Sequence, residues 1–114
     1  MRIPQALGAC ILLVSLGLVG CATPDRFEWG SYDNALYAYS KHPDRLPVFE
    51  TALQAAISKG RADGRLAPGL QAELGYLYLG QGKRAEAIEL FKAEMADFPE
   101  SRTLLTKIIA QNAG

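Results

Sequence analysis

The sequence predicts an all-α domain in which about five helices pack as antiparallel hairpins. Apolar residues recur at intervals of three, four and seven positions in several stretches after residue 30, which is the spacing of one helix face. Proline or glycine lies at the borders of these stretches, where such residues begin or end helices. The chain has 114 residues, enough for one small domain.

Residues 1–20 are predicted to be a signal peptide that is not part of the fold. Arg2 gives this segment a positive start, positions 3 to 20 carry no charge, and its most apolar part is Ile11-Leu12-Leu13-Val14. A membrane-spanning helix needs about 20 consecutive apolar residues, whereas a shorter apolar stretch with a small-residue exit is typical of secretion signals.

The end of this segment resembles the lipobox of bacterial lipoproteins, on the residues Leu18-Val19-Gly20-Cys21. The resemblance implies cleavage before Cys21, a lipid on its thiol and acylation of the new amino terminus. Ala22 stands where retention in the inner membrane would require Asp, which implies anchoring in a bacterial outer membrane, with the domain facing the periplasm or the cell surface. The alternative is an uncleaved amino-terminal helix in which Cys21 is an ordinary small residue.

Residues 21–30 are predicted to be a lipidated tether, since the first residues after Cys21 are polar and include Pro24. A group of aromatic residues begins within it and continues into the domain: Phe27, Trp29, Tyr32, Tyr37 and Tyr39. The general burial of aromatic side chains favours a place in the core. The alternative is a surface for a protein partner or for nearby lipid headgroups.

The helical domain is predicted to span residues 31–114. Its first helix is expected to be capped by Ser31 and ended by Pro43. The second is expected to begin at the cap Asp44 and to stop at Gly60 in a left-handed conformation. Two further helices are expected on either side of Gly80-Gln81-Gly82, and a last helix is expected after a cap at Ser101.

The third and fourth helices resemble a tetratricopeptide repeat over residues 68–101. The motif is carried by Leu74-Gly75, Tyr78, Ala87, Phe91 and Pro99 at matching separations. The sequence departs from it at Gln71, where the motif prefers Trp, and at Glu94, where it prefers a small residue. We expect Glu94 to disfavour burial and to make the packing atypical. In such repeats the first helix lines the concave surface, which implies a groove-facing set of Gly69, Ala72, Tyr76 and Leu79.

The chain after Cys21 is also similar to a family of small, uncharacterised bacterial lipoproteins. The resemblance is carried by 29–32 (WGSY), 68–79 (PGLQAELGYLYL) and 98–101 (FPES). It implies a tetratricopeptide-like fold and an accessory role beside lipoproteins that are similar to the curli secretion channel.

Composition argues against several function classes. The 12 basic and 12 acidic residues cancel to a net charge of zero, which disfavours binding to nucleic acid. Two cysteines and one histidine leave little for a metal site or a nucleophile pair, and no enzyme motif is present, so we expect no enzymatic activity, no metal and no cofactor other than the lipid on Cys21.

The sequence therefore predicts a lipid-anchored adaptor that binds a protein partner, with other envelope lipoproteins as the expected partners. Tyr76 is the main candidate contact, together with Gly69, Ala72, Leu79 and Trp29, since aromatic side chains combine apolar area with a polar tip. The alternative is a structural outer-membrane lipoprotein that self-associates and has no separate ligand.

Overall fold

The computed structural model describes residues 26–113. Within them the chain forms five α-helices and no β-strand, which confirms the predicted all-α fold. The predicted signal peptide and Cys21 lie outside the described residues. The helices are α1 (Tyr32–Lys41), α2 (Leu46–Ala62), α3 (Leu70–Gly80), α4 (Arg84–Asp97) and α5 (Arg102–Asn112).

Short 3-10 helices lead into α2 and α5, at Pro43–Arg45 and Pro99–Ser101. Ser31 and Ser101 precede α1 and α5 as predicted, but neither side chain caps its helix. The hydroxyl of Ser101 instead donates to the carbonyl oxygen of Phe98, 2.7 Å away. Both serines lack the extended backbone that a capping side chain needs, with ψ of 19° at Ser31 and −10° at Ser101.

The predicted borders of α2 were wrong at both ends. Asp44 lies inside the 3-10 helix, so α2 begins at Leu46 with no side-chain cap. Gly60 lies inside the helix, and the residue in left-handed conformation is Gly64, with φ of 66°. A Cβ atom on Gly60 would lie 2.9 Å from the Cα atom of Leu66, so this glycine permits a close approach of the following segment.

One core cluster joins α1, α2 and the start of α3. Phe49 of α2 lies at its centre, with ring centroids 5.8 Å from Tyr32 and 5.5 Å from Tyr39. Phe27 and Trp29 also pack against this cluster, whereas Tyr37 is 66% exposed. Phe27, Trp29, Tyr32 and Tyr39 are thus partly buried against the core, and Tyr37 lies at the surface.

The α3–α4 hairpin turns at Gly82, which has a φ of 77°. Its two helices approach closely because Gly75 faces the ring of Phe91, and a Cβ atom on Gly75 would lie 2.6 Å from that ring. Ala87 and Phe91 are fully buried, and with Leu105 of α5 they form a second core cluster. The glycine, alanine and phenylalanine of the repeat motif therefore lie where α3 and α4 pack together.

Candidate partner-binding surface

The predicted groove residues do not form one open surface. Ala72 and Leu79 are partly buried and pack against the second core cluster. Gly69 is exposed just before α3, with a φ of 93°. Tyr76 is 47% exposed in the middle of α3. Of the four residues, only Gly69 and Tyr76 are exposed.

The Tyr76 side chain contacts the core through its ring, and about half of the side chain is exposed to solvent. Its ring lies edge-on to Phe91, with centroids 5.4 Å apart and an interplanar angle of 66°. Because Phe91 is fully buried and α3 is regular here, the Tyr76 side chain is positioned by the core. An aromatic ring that is fixed and half exposed loses little conformational entropy when a partner covers it.

Trp29 lies in a different part of the molecule. It precedes α1, and its ring centroid is 5.5 Å from that of Tyr32 and 6.5 Å from that of Phe27. It packs against the first core cluster, while Tyr76 contacts the second. The structure does not unite Trp29 with the groove-facing set.

A buried polar network at the start of α3 was not predicted. The Glu94 side chain is 2% exposed, and its Oε1 atom accepts a hydrogen bond of 2.5 Å from the amide nitrogen of Gly69. Its other carboxylate oxygen, Oε2, is buried without a hydrogen-bond partner among the described residues. Glu94 is thus buried where the sequence predicts a cost of burial, and the amino terminus of α3 offsets part of that cost by supplying a donor and a favourable dipole.

Gln71 makes a separate set of polar contacts near the same end of α3, towards α2. Its amide nitrogen donates to Asp97 at 3.0 Å, and its amide oxygen accepts from Arg61 at 2.8 Å. Arg61 and Asp97 also form an ion pair at 3.1 Å. The sequence signalled this site only through Gln71 and Glu94, the two positions that depart from the repeat motif.

Polar side chains also connect α3 to the preceding helices. The hydroxyl of Tyr32 donates to Glu73 at 2.7 Å, and Gln54 donates to the hydroxyl of Tyr78 at 2.9 Å. Burial and the hydrogen bond to the Glu73 carboxylate raise the pKa of Tyr32 to about 12. These bonds fix the first hairpin to α3 and therefore fix the orientation of the surface that carries Tyr76.

An open groove of about 410 Å³ lies along α2, and its lining residues carry no acid, base or thiol: Ser31, Pro47, Val48, Thr51, Ala52 and Ala55. A smaller cavity of about 260 Å³ includes Arg61 and Asp97, which pair with each other. Across residues 26–113, no three His, Cys, Asp or Glu side chains are grouped to hold a metal ion. In the same range no helix is both long enough and apolar enough to span a membrane.

Comparison with protein-family models gives a match over residues 27–108, to a domain of unknown function named DUF4810. The chain belongs to the DUF4810 family. The match runs from just before α1 into α5, so it covers both core clusters and Tyr76. No curated protein and no solved structure matches the chain. Membership of the DUF4810 family agrees with the expected uncharacterised family and assigns no activity to its domain.

Proposed function

We propose that this DUF4810 protein is a lipid-anchored adaptor of the bacterial outer membrane that binds another envelope protein. The lipobox-like segment ending at Cys21 supports the anchor, and the resemblance to small lipoproteins supports an accessory role beside lipoproteins similar to the curli secretion channel. The lipid on Cys21 is the only cofactor in this proposal, and the protein has no enzymatic activity.

The observation that carries the adaptor proposal is the exposure of Tyr76. An aromatic residue that is 47% exposed, yet fixed against a buried ring, has the properties of a binding hot spot. The groove along α2 is apolar and lacks titratable lining residues, so it too is better suited to binding than to catalysis.

The proposal is tested by crosslinking in living cells with a photoreactive amino acid in place of Tyr76. Tyr37 supplies the matched control, since it is also an exposed tyrosine but lies on α1 and is not held against a buried ring from α4. We expect one envelope protein to be trapped from position 76 and not from position 37. Crosslinks to lipid alone, or equal crosslinking from both positions, would contradict the adaptor proposal.

A second candidate function is self-association as a structural lipoprotein. Leu104 favours it, because this side chain on α5 is 60% exposed while its neighbour Leu105 is buried. The test is light scattering on residues 21–114 with Cys21→Ser, a chain that carries neither the predicted signal peptide nor a lipid that could hold copies together. An adaptor is expected to be monomeric, whereas a self-associating protein is expected to form multimers that Leu104→Lys dissociates.

A further inference from the structure

We propose that the end of the domain that carries Trp29 rests on the lipid surface, with Trp29 at the level of the lipid headgroups. This inference rests on the proposed lipid anchor at Cys21. It adds a membrane-contacting surface and an orientation of the domain, neither of which follows from the anchor alone.

The tether enters the fold at a defined end of the helices. The amide nitrogen of Glu28 donates to the carbonyl oxygen of Arg65 at 2.8 Å, so the segment around Trp29 is fixed beside the link between α2 and α3. The amino terminus of α1, the carboxyl terminus of α2 and the amino terminus of α3 therefore lie together at this end. The turn between α1 and α2 lies at the opposite end of α2.

The length of the tether keeps this end close to the lipid. Five peptide units separate Cys21 from Arg26, the first described residue, and they span at most about 18 Å when extended. The α2 helix has 17 residues and is therefore about 26 Å long. An anchor at Cys21 thus confines the Trp29 end near the membrane, while the far end of α2 can lie well away from it.

The side chains at this end have the chemistry of the membrane interface. Phe27 and Trp29 are each only partly buried, so aromatic surface remains open at the point where the tether leaves. Tryptophan is enriched at the headgroup level because its ring is apolar and its indole nitrogen is a hydrogen-bond donor. Arg26 is exposed, with its guanidinium carbon 5.3 Å from the centre of the Phe27 ring, where it can meet a phosphate group.

Because the protein is already tethered to the membrane, a weak contact with lipid is sufficient to orient it. An anchored surface meets the membrane at a high effective concentration, so association needs no further loss of translational freedom. A partly exposed tryptophan and one arginine would bind a free protein to lipid only weakly. The same two groups can set the orientation of a protein that is already anchored.

The test uses fluorescence, because Trp29 is the only tryptophan in the chain. The full chain is expressed in bacteria, purified from membranes in its lipidated form and reconstituted into vesicles of phosphatidylethanolamine and phosphatidylglycerol. Part of the lipid is brominated near the top of the acyl chains. We expect the bromines to quench most of the Trp29 emission and aqueous iodide to quench little of it.

The matched control moves the tryptophan to the side of α1. In the double variant Trp29→Phe with Tyr37→Trp, the ring at position 29 is retained and the reporter stands at a residue that is 66% exposed. We expect several-fold weaker quenching by brominated lipid at position 37 than at position 29. Arg26→Glu in the otherwise unchanged chain is expected to reduce quenching of Trp29, because it places a carboxylate next to anionic headgroups.

Flotation of the vesicles distinguishes a failure of the proposed lipid anchor from a failure of the proposed orientation. If the purified chain carries no lipid and does not float with the vesicles, the anchor is wrong and this inference fails with it. If the chain floats but Trp29 is quenched by iodide and not by bromine, the anchor stands and the orientation is wrong. Equal bromine quenching at positions 29 and 37 would likewise overturn the proposed orientation.

Discussion

The carboxylate of Glu94 accepts a hydrogen bond from the amide nitrogen of Gly69, which lies 25 residues earlier in the chain. Gly69 is the residue just before α3, so through this bond α4 caps the amino terminus of α3 by satisfying one of the four amides that have no partner within the helix. Gly69 has no side chain to cap the helix itself and adopts a φ of 93°. This hydrogen bond therefore connects α3 to α4 and also gives an amide at the amino terminus of α3 its acceptor.

Replacing Glu94 should therefore destabilise the domain, even though the repeat motif prefers a small residue there. We expect Glu94→Ala to lower the free energy of unfolding by about 1–3 kcal/mol, since the amide of Gly69 is left without its acceptor. Chemical denaturation of the Cys21→Ser chain measures the change. Glu89→Ala is the control, because Glu89 is exposed on the same helix and pairs with Lys92 at the surface, so its loss should cost less than about 1 kcal/mol. Equal losses from the two variants would argue against the capping role.

The contact between α3 and α4 gives a second prediction, at Gly75. Phe91 is fully buried, so making room for a new methyl group requires its ring and the surrounding core to shift, and Gly75→Ala should destabilise the domain by about 1–3 kcal/mol. Gly80, on the same helix, has nothing within 4 Å of its Cβ position, and Gly80→Ala should be neutral or slightly stabilising. Thermal unfolding of the two variants makes the comparison. Restored stability in Gly75→Ala with Phe91→Leu would show that the clash with the ring is the cause.

These two sites show what the sequence could and could not predict. Gly75, Ala87 and Phe91 were predictable as a unit, because close helix packing requires small residues opposite a large one at fixed spacing. The bond from Gly69 to Glu94 was not, because the motif gives only the expected cost of burying a carboxylate and does not show which donor faces it. A polar group is buried where a hydrogen-bond partner faces it, and that partner can be identified only from the way the helices pack.

The candidate surface was predictable only in part, for a related reason. Position in the repeat motif predicted that Ala72, Tyr76 and Leu79 share one groove-facing side of α3. What covers those faces depends on the other helices, and the second core cluster takes up Ala72 and Leu79. Tyr76 remains exposed beside them. The predicted end of α2 was wrong for a similar reason, since Gly60 lies inside the helix and allows the close approach of Leu66.

The bond between Tyr32 and Glu73 predicts a change of stability at alkaline pH. The pKa of Tyr32 is raised to about 12 in the folded chain, against about 10 when the chain is unfolded. Because the folded pKa is the higher one, the stabilisation is fully present below pH 10 and is lost as the pH rises towards 12. Relative to Tyr32→Phe, which cannot ionise, the unchanged chain should therefore lose stability across this range.

Denaturation of both proteins at a series of alkaline pH values measures the difference, and ultraviolet absorbance of tyrosinate reports the ionisation directly. Tyr37→Phe is the control, since Tyr37 is an exposed tyrosine on the same helix. A constant difference between the unchanged chain and Tyr32→Phe across the alkaline range would contradict a raised pKa at Tyr32.

Two adjacent leucines on α5 give the last prediction. Leu105 is 2% exposed and packs with Ala87 and Phe91, whereas Leu104 is 60% exposed. Leu105→Ala should lower the free energy of unfolding by about 2–5 kcal/mol, because it leaves a cavity between α4 and α5. For a monomer, Leu104→Ala should change it by less than about 1 kcal/mol, since little apolar area is uncovered. Measuring the free energy of unfolding of both variants and of the unchanged chain at several protein concentrations tests whether Leu104 takes part in association. If Leu104 lies in an interface between copies, the stability of the unchanged chain will rise with protein concentration by mass action, and its difference from the Leu104→Ala variant will grow accordingly.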